Sequence, residues 1–465
     1  MFANRSRRVP VLAGGLLLTG TALLLASGHG PWASPKASIN GAPLGAPASE
    51  IAAFASLAET TRIPSGVAAK AAIPAAPAVD LATLLDLGKI ARQGDEYVAT
   101  LSDGRRAVLT LDPRLQTLAE KLLDESRAPR AAIVAMTPDG RILALAGRRT
   151  DEPKGAIKGT FDGRLATDVW APGASIFKLV TAAALVRAGV DPDGKVCFHG
   201  GLRSVLEHNL RDDRRDSRCE SLVYGVAHSQ NAIVGKLAFQ KLEPATLEAE
   251  ARLLGWNAAV AGDLRGPAGE LAIPQARDLE FARAAAGFTG AKLSVLGGAL
   301  LAATFAADGE IPAARLIASV DGAPVPPPPP ARRAIAAETA RAIARMMVGT
   351  CDGGSASRVF GARRKVKVAG KTGTLTHTAP FHIEHSWFVG FAPADKPEIV
   401  VSVLLGNALD WHLRGHEAAK RLIDRALTPA PDREKDRRAA VLSPSRAGGP
   451  AGTDRAGLTI PAPDR

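Results

Sequence analysis

The sequence predicts an α+β fold: one antiparallel sheet covered by helices, with a helical subdomain inserted between its early and late strands. Three observations predict it. Two apolar runs, Ala131 to Met136 and Arg141 to Leu145, flank Pro138-Asp139-Gly140, which is a hairpin signal. Three more strand candidates come late, at Lys365 to Ala369, Trp387 to Phe391 and Ile399 to Leu405. Between the two groups lie about 200 residues whose apolar spacing is mostly helical.

Taken in order, the chain starts with Arg5, Arg7 and Arg8 before an uncharged run from Val9 to Gly28. That run is long enough to span a ~30 Å hydrocarbon layer at ~1.5 Å per residue. The basic flank would sit in the cytoplasm, so residues 1–30 are read as an N-terminal membrane anchor or a signal peptide. Either reading exports the rest of the chain, and the expected location is a single-pass inner-membrane protein with its folded part in the periplasm. Residues 31–80 are rich in Ala and Pro and are expected to be a linker. The folded domain is expected over 81–428, and a Pro-, Arg-, Asp- and Gly-rich disordered tail over 429–465. Asp112-Pro113 reads as an N-cap followed by proline at the first helical position. Leu115, Leu118, Ala119, Leu122 and Leu123 then form one stripe of a helix. The five prolines from Pro326 to Pro330 suit a surface connection, because residues without N–H groups cannot join a sheet. Leu413 to Ala426 reads as a closing helix.

The chain has 465 residues and a formal net charge of +12, which raises the question of nucleic acid. Aromatic residues are only 4% of the chain, with two tyrosines, so stacking platforms are poorly supplied and nucleic acid is not the expected partner. A basic surface also suits work beside anionic lipid and an acidic polymer. Three cysteines cannot staple a chain of this length, so a sizeable core must hold it.

The strongest local feature is Pro172-Gly173-Ala174-Ser175-Ile176-Phe177-Lys178. Pro-Gly breaks the chain and an apolar helical pattern follows, so Ser175 sits at a helix N-terminus and Lys178 lies one turn on, on the same face. A serine hydroxyl needs a base within hydrogen-bond reach to become a nucleophile. A lysine can be that base if burial and nearby positive charge lower its pKa. Read alone, the same residues are a helix cap and a surface lysine. Ser229-Gln230-Asn231 stands on a turn before a helical run, and Gly370-Lys371-Thr372-Gly373-Thr374 follows an apolar alternation. A phosphate-binding loop would need glycine five residues before Gly370, where Lys365 stands.

Ser175-x-x-Lys178, Ser229-x-Asn231 and Lys371-Thr372-Gly373, in that order, resemble the active-site motifs of penicillin-binding proteins and serine β-lactamases. Leu111-Asp112-Pro113-Arg114-Leu115-Gln116, Ala132 to Met136 and Trp387-Phe388-Val389-Gly390-Phe391-Ala392-Pro393 resemble flanks of the transpeptidase module, over roughly 105–427. The resemblance implies a five-stranded antiparallel sheet flanked by helices on both faces plus an inserted all-helical subdomain, a β-lactamase/transpeptidase-like fold. It implies a peptidoglycan D,D-transpeptidase that cross-links stem peptides through a Ser175 acyl-enzyme and is inhibited by β-lactams. Lys178 would be the base. Ser229, with Lys371 nearby, would pass a proton to the leaving amine. Asn231 would hold the substrate amide and help position Lys178. Thr372, Gly373 and Thr374 would form the substrate-binding edge, with the N–H groups of Ser175 and Thr374 as oxyanion hole. No metal or cofactor is required. The membrane, through residues 1–30, and a cell-wall synthesis complex are the implied partners.

Several alternatives stay open. A D,D-carboxypeptidase differs only in whether water or an amine takes the acyl group. A β-lactamase would need a glutamate for deacylation, and Glu270 lies in the right broad region without the expected neighbours. A non-catalytic penicillin-binding scaffold would keep the same motifs. With about 75 residues between the apolar run and Arg105, neither a glycosyltransferase module nor a long pedestal is expected. Gly287-Phe288-Thr289-Gly290 stands where a glycine-glutamine-glycine element is expected. Cys197 and Cys219 are a disulfide candidate in an exported protein, and closing that loop would stabilise by roughly 3 kcal/mol on the loop-entropy account. Cys351 would be a buried thiol. His412 with His416 and His382 with His385 lack acidic or thiol partners at ligand spacing, so metal is not expected.

Overall fold

The computed structural model describes residues 80–150, 162–361, 365–378 and 382–429. The anchor or signal expected at 1–30, the linker up to 79 and the tail beyond 429 lie outside the described residues. Among the described residues no helix is long and apolar enough to cross a membrane.

The elements that frame the site are helix α1 (Pro113–Ser126), strands β1 (Arg130–Met136) and β2 (Ile142–Arg149), helices α2 (Lys178–Arg187), α3 (Asn231–Lys241), α4 (Val295–Ala306) and α5 (Ala337–Asp352), strands β3 (Ala369–His377), β4 (Ile383–Ala392) and β5 (Ile399–Asn407), and helix α6 (Gly415–Leu427). The five strands form one antiparallel sheet in the order β3-β4-β5-β1-β2. The early hairpin therefore joins the late strands through β1 and β5, and β3 is left at an edge.

Side-chain alternation sorts the sheet into two cores. Ile133, Ala135, Val401, Val403 and Leu405 join Leu115 and Leu122 of α1 and Leu422 of α6. Val134, Met136, Val400, Leu404 and Trp387 join α2 and α4 in the larger cluster. With both faces covered, every residue of β5 is buried, which is why its sequence is apolar from Ile399 to Leu405 apart from Ser402. Each fully buried aliphatic side chain contributes roughly 1.5–3 kcal/mol of transfer free energy, set against the entropy of ordering it. The Asp112 carboxylate caps α1 by accepting from the N–H groups of Arg114 and Leu115.

Three features differ from the sequence reading. The strand expected over Lys365 to Ala369 begins only at Ala369 and runs to His377, so Gly370 to Thr374 lie inside the strand. The glycines permit this: a Cβ at Gly370 would lie 2.2 Å from the Phe388 ring. The inserted region is helical in its main elements but also carries short strands, including Lys195–Phe198 paired with Arg218–Ser221. A second five-stranded sheet was not foreseen. It combines Ile90–Gln93, Glu96–Thr100 and Arg106–Leu109 with Ile317–Val320 and Ala323–Pro324. Its partners are about 200 residues apart, a distance that local pattern does not report. Pro326 to Pro330 belong to no helix or strand and are largely exposed.

Candidate active site

Ser175 lies on a 3₁₀ turn, Ala174–Phe177, that feeds directly into α2. Its apolar residues pin it: Ile176 and Phe177 are fully buried, and the Phe177 ring meets Trp256 edge-on at 5.5 Å. Trp387 Nε1 donates to the Pro172 carbonyl at 2.9 Å and ties the turn to the sheet. Ala174 takes φ 46°, a left-handed conformation rare for a residue with a Cβ. Such strain persists where the surroundings over-determine it.

Lys178 opens α2, and its Nζ lies 2.9 Å from Ser175 Oγ. The same amine donates to the Ala286 carbonyl at 2.6 Å. That carbonyl follows the helix Leu279–Ala285, and Thr181 Oγ1 bonds the neighbouring Ala285 carbonyl at 2.7 Å, so α2 and this helix end are stitched together. Gly287, φ 85°, then passes against the Ser175 turn.

Ser229 sits between the helix Leu222–Ala227 and α3, also left-handed at φ 56°. Lys371 Nζ donates to Ser229 Oγ at 3.1 Å and to the Thr372 carbonyl at 2.8 Å. Asn231 is the first residue of α3. The resemblance puts its amide beside Lys178; here Nδ2 donates to the Leu202 carbonyl at 2.9 Å, while Lys178 uses Ala286. On β3, Thr372 Oγ1 lies 2.6 Å from Ser355 Oγ. Gly373 packs the strand onto the turn, where a Cβ would lie 3.3 Å from Ile176 and 3.4 Å from Ala174.

The motifs converge on one cleft of about 700 Å³, lined by Ser175, Ser229, Asn231, Thr372 and Thr374. Gly373 does not line it, and Lys178 and Lys371 are completely buried behind its wall. Among the described residues neither lysine has a carboxylate partner. Burial, and then the charge of Lys371, hold the Lys178 amine well below the ordinary lysine range. Burial lowers Lys371 to about 7, against a small opposing effect of Cys351. A neutral amine 2.9 Å from a hydroxyl can take its proton.

Sequence reasoning missed Ser355, Leu202 and the Ala286 carbonyl, which carry no motif of their own. Gly287 and Phe288 line the cleft, in the segment marked only by its place. Glu270 does not line it; it lies on the strand Gly269–Leu271, 3.2 Å from Lys292 Nζ. His228 lines the cleft with its ring stacked on Tyr224 at 4.0 Å. Cys197 and Cys219 are paired across their two strands and joined by a disulfide, and Cys351 is buried on α5. Among the described residues no group of three or more His, Cys, Asp or Glu could hold a metal ion.

Residues 131–427 match the family model described as the penicillin-binding protein transpeptidase domain. The peptidoglycan D,D-transpeptidase PbpA of Mycobacterium tuberculosis is 26% identical over 359 residues, covering 69% of this chain and 71% of that protein. The D,D-transpeptidase domain of a peptidoglycan glycosyltransferase from Eggerthella lenta superposes with a TM-score of 0.57 at 26% identity, covering 70% of this chain and 83% of that one. Penicillin-binding protein A of M. tuberculosis, as an imipenem acyl-enzyme, shares the fold with a TM-score of 0.55 at 23% identity, covering 70% of this chain and 80% of that one. With its three motifs gathered on one cleft and a matched stretch that takes in most of the folded residues, the chain belongs to the penicillin-binding protein transpeptidase family.

Proposed function

We infer that this chain is a serine D,D-transpeptidase that cross-links peptidoglycan stem peptides through an acyl-enzyme. The observation that carries the reading is the buried Lys178 amine, its proton affinity lowered, 2.9 Å from Ser175 Oγ. As Oγ attacks the carbonyl that precedes the terminal D-alanine, its proton passes to Nζ of Lys178. The oxyanion forms against the N–H groups of Ser175 and Thr374. Its collapse breaks the C–N bond, and the departing amine takes a proton from Ser229, which Lys371 resupplies across 3.1 Å. Thr372, Thr374 and the Lys371 charge hold the substrate carboxylate, and Asn231 holds its amide. An acceptor amine then attacks the ester and gives up a proton through Ser229 to Lys371, and Ser175 leaves as the C–O bond breaks, taking back the proton held on Lys178. β-Lactams acylate the same hydroxyl because they offer it a strained carbonyl.

Gel detection of covalent labelling by a fluorescent penicillin tests this. Label on the wild type that is lost in Ser175→Ala and released slowly supports it. No label on folded protein points to a scaffold, and rapid turnover points to a β-lactamase. The ion pair of Glu270 with Lys292, away from the cleft, speaks against hydrolysis driven by that glutamate. Product analysis with a donor peptide and an added amine separates transfer from carboxypeptidase cleavage.

The uncharged run Val9 to Gly28 behind three arginines supports a tether at the inner membrane with the catalytic domain in the periplasm. Tethered there, the enzyme would work within a cell-wall synthesis complex. Fractionation of the full chain against one lacking residues 1–30 tests the tether, and in-cell cross-linking tests the complex.

A further inference from the structure

Three lysines are fully or almost fully buried among the described residues: Lys178, Lys371 and Lys236. The first two belong to the reaction described above. Lys236, 1% exposed, lies on α3 five residues beyond Asn231 and has no part in it.

Lys236 Nζ reaches the base of the segment that the Cys197–Cys219 disulfide closes. It donates to the Cys197 carbonyl at 2.8 Å, to the Asp216 carboxylate at 2.7 Å and to exposed Asp212 at 3.0 Å. The other oxygen of Asp216 meets His199 Nδ1 at 2.5 Å. Beyond this base the segment turns onto the start of α3. The Gly201 carbonyl accepts the Asn231 backbone N–H at 3.2 Å, and the Leu202 carbonyl accepts Asn231 Nδ2 at 2.9 Å. Gly201, φ 71°, comes so close that a Cβ there would lie 2.1 Å from Ala232 Cβ. Farther on, Val205 and Leu210 pack against Ala282 and Ala286. The backbone N–H and one Nδ2 hydrogen of Asn231 are thus taken by two consecutive carbonyls, and the position of those carbonyls depends on what holds the two ends of the segment.

A buried ion pair is weak support for stability, because apolar replacements of similar volume often do as well. Its use is then geometric. We propose that Lys236 and Asp216, with the Cys197–Cys219 disulfide, are positioning elements of the transpeptidase site that fix the Gly201 and Leu202 carbonyls and thereby aim Asn231 at the substrate amide. This rests on the reading of Asn231 as the residue that holds that amide.

The test compares Ser175 acylation of the full chain by benzylpenicillin, which has a side-chain amide, and by 6-aminopenicillanic acid, which lacks one. Lys236→Met is expected to slow benzylpenicillin about ten- to a hundredfold, the usual effect of an ångström-scale misplacement, and the truncated ligand far less. Lys236→Met/Asn231→Ala is expected to be no slower than Asn231→Ala alone, since both changes remove one interaction. Unchanged rates in folded Lys236→Met, equal losses for both ligands, or multiplying losses in the double variant would overturn the proposal. If Lys236→Met does not fold, Cys197→Ser/Cys219→Ser is read in the same comparison with the same outcomes. Failure of the wild type to label at Ser175 would instead defeat the enzymatic reading itself, and the proposal with it.

Discussion

The Ala174 carbonyl oxygen lies 2.1 Å from the place where a Cβ on Gly287 would stand. Two chain segments that share no sequence signal meet there with no room for a methyl group. One carries Ser175, and the other carries the carbonyl that receives Lys178.

Gly287→Ala is therefore expected to push the Ser175 turn and the Ala286 carbonyl apart. Its φ of 85° adds backbone strain for any residue with a Cβ. Acylation should fall about a hundredfold in protein that still folds, measured as labelling rate beside a thermal melt. A rate within a factor of two of wild type would mean that the contact does not set the catalytic geometry.

The two buried lysines set the pH profile. In the proposed mechanism Ser175 acylation requires Lys178 without its proton, so the rate is expected to rise with pH as that amine deprotonates. With Lys371 in its proposed role on the substrate carboxylate, loss of its charge at about 7 lowers the rate on the alkaline side. The charge of Lys371 also helps to lower Lys178. In Lys371→Met the alkaline limb should vanish and the acid limb should move to higher pH. An acid limb that stays in place would show that the lysines are not coupled.

Lys371 should also leave a mark on stability. Its amine holds a proton up to about 7 when folded, against an ordinary value of 10.5. Between these values the unfolded chain binds more protons, so stability rises with pH. The penalty for burying the charge is absent above about 10.5 and complete below about 7. Urea unfolding at roughly pH 7.5 and 9.5 should show more stability at the higher value, with the difference reduced in Lys371→Met.

Ser355 lies 2.6 Å from Thr372 across hydroxyl oxygens. Ser355→Ala removes the hydroxyl partner of Thr372, which the proposed mechanism places on the substrate carboxylate. The loss of about one hydrogen bond predicts roughly a three- to tenfold weaker apparent affinity for carboxylate-bearing ligands, with little change in melting temperature. An unchanged affinity would place the carboxylate elsewhere.

The helix-borne half of the site was legible in the sequence. Ser175 and Lys178 are three residues apart, and a helical start puts them on one face without any tertiary information. Trp387 and Phe388 showed a buried strand but not that they enter different cores. Ser229, Asn231 and Lys371 could be joined to Ser175 only through the resemblance, because their meeting spans most of the domain. The Ala286 and Leu202 carbonyls could not be read at all, since every residue has a carbonyl and only the fold decides which one faces an amine. The sheet that joins Arg106–Leu109 to Ile317–Val320 escaped for the same reason: its strands are short, and each finds its partner far along the chain.

Strand β3 has a neighbour in its sheet on one side only. An unpaired strand is a template that any extended chain can extend, which in most proteins invites aggregation. Here the open side lies in a cleft, with residues of the Ser175 turn and of the Ser229 loop across from it. Recognition by strand addition draws its affinity from main-chain groups and leaves identity to side-chain pockets. The same exposed ladder would therefore admit stem peptides of differing composition and small molecules that merely imitate a peptide backbone. Tolerance of varied wall chemistry and vulnerability to mimics would then share one structural cause.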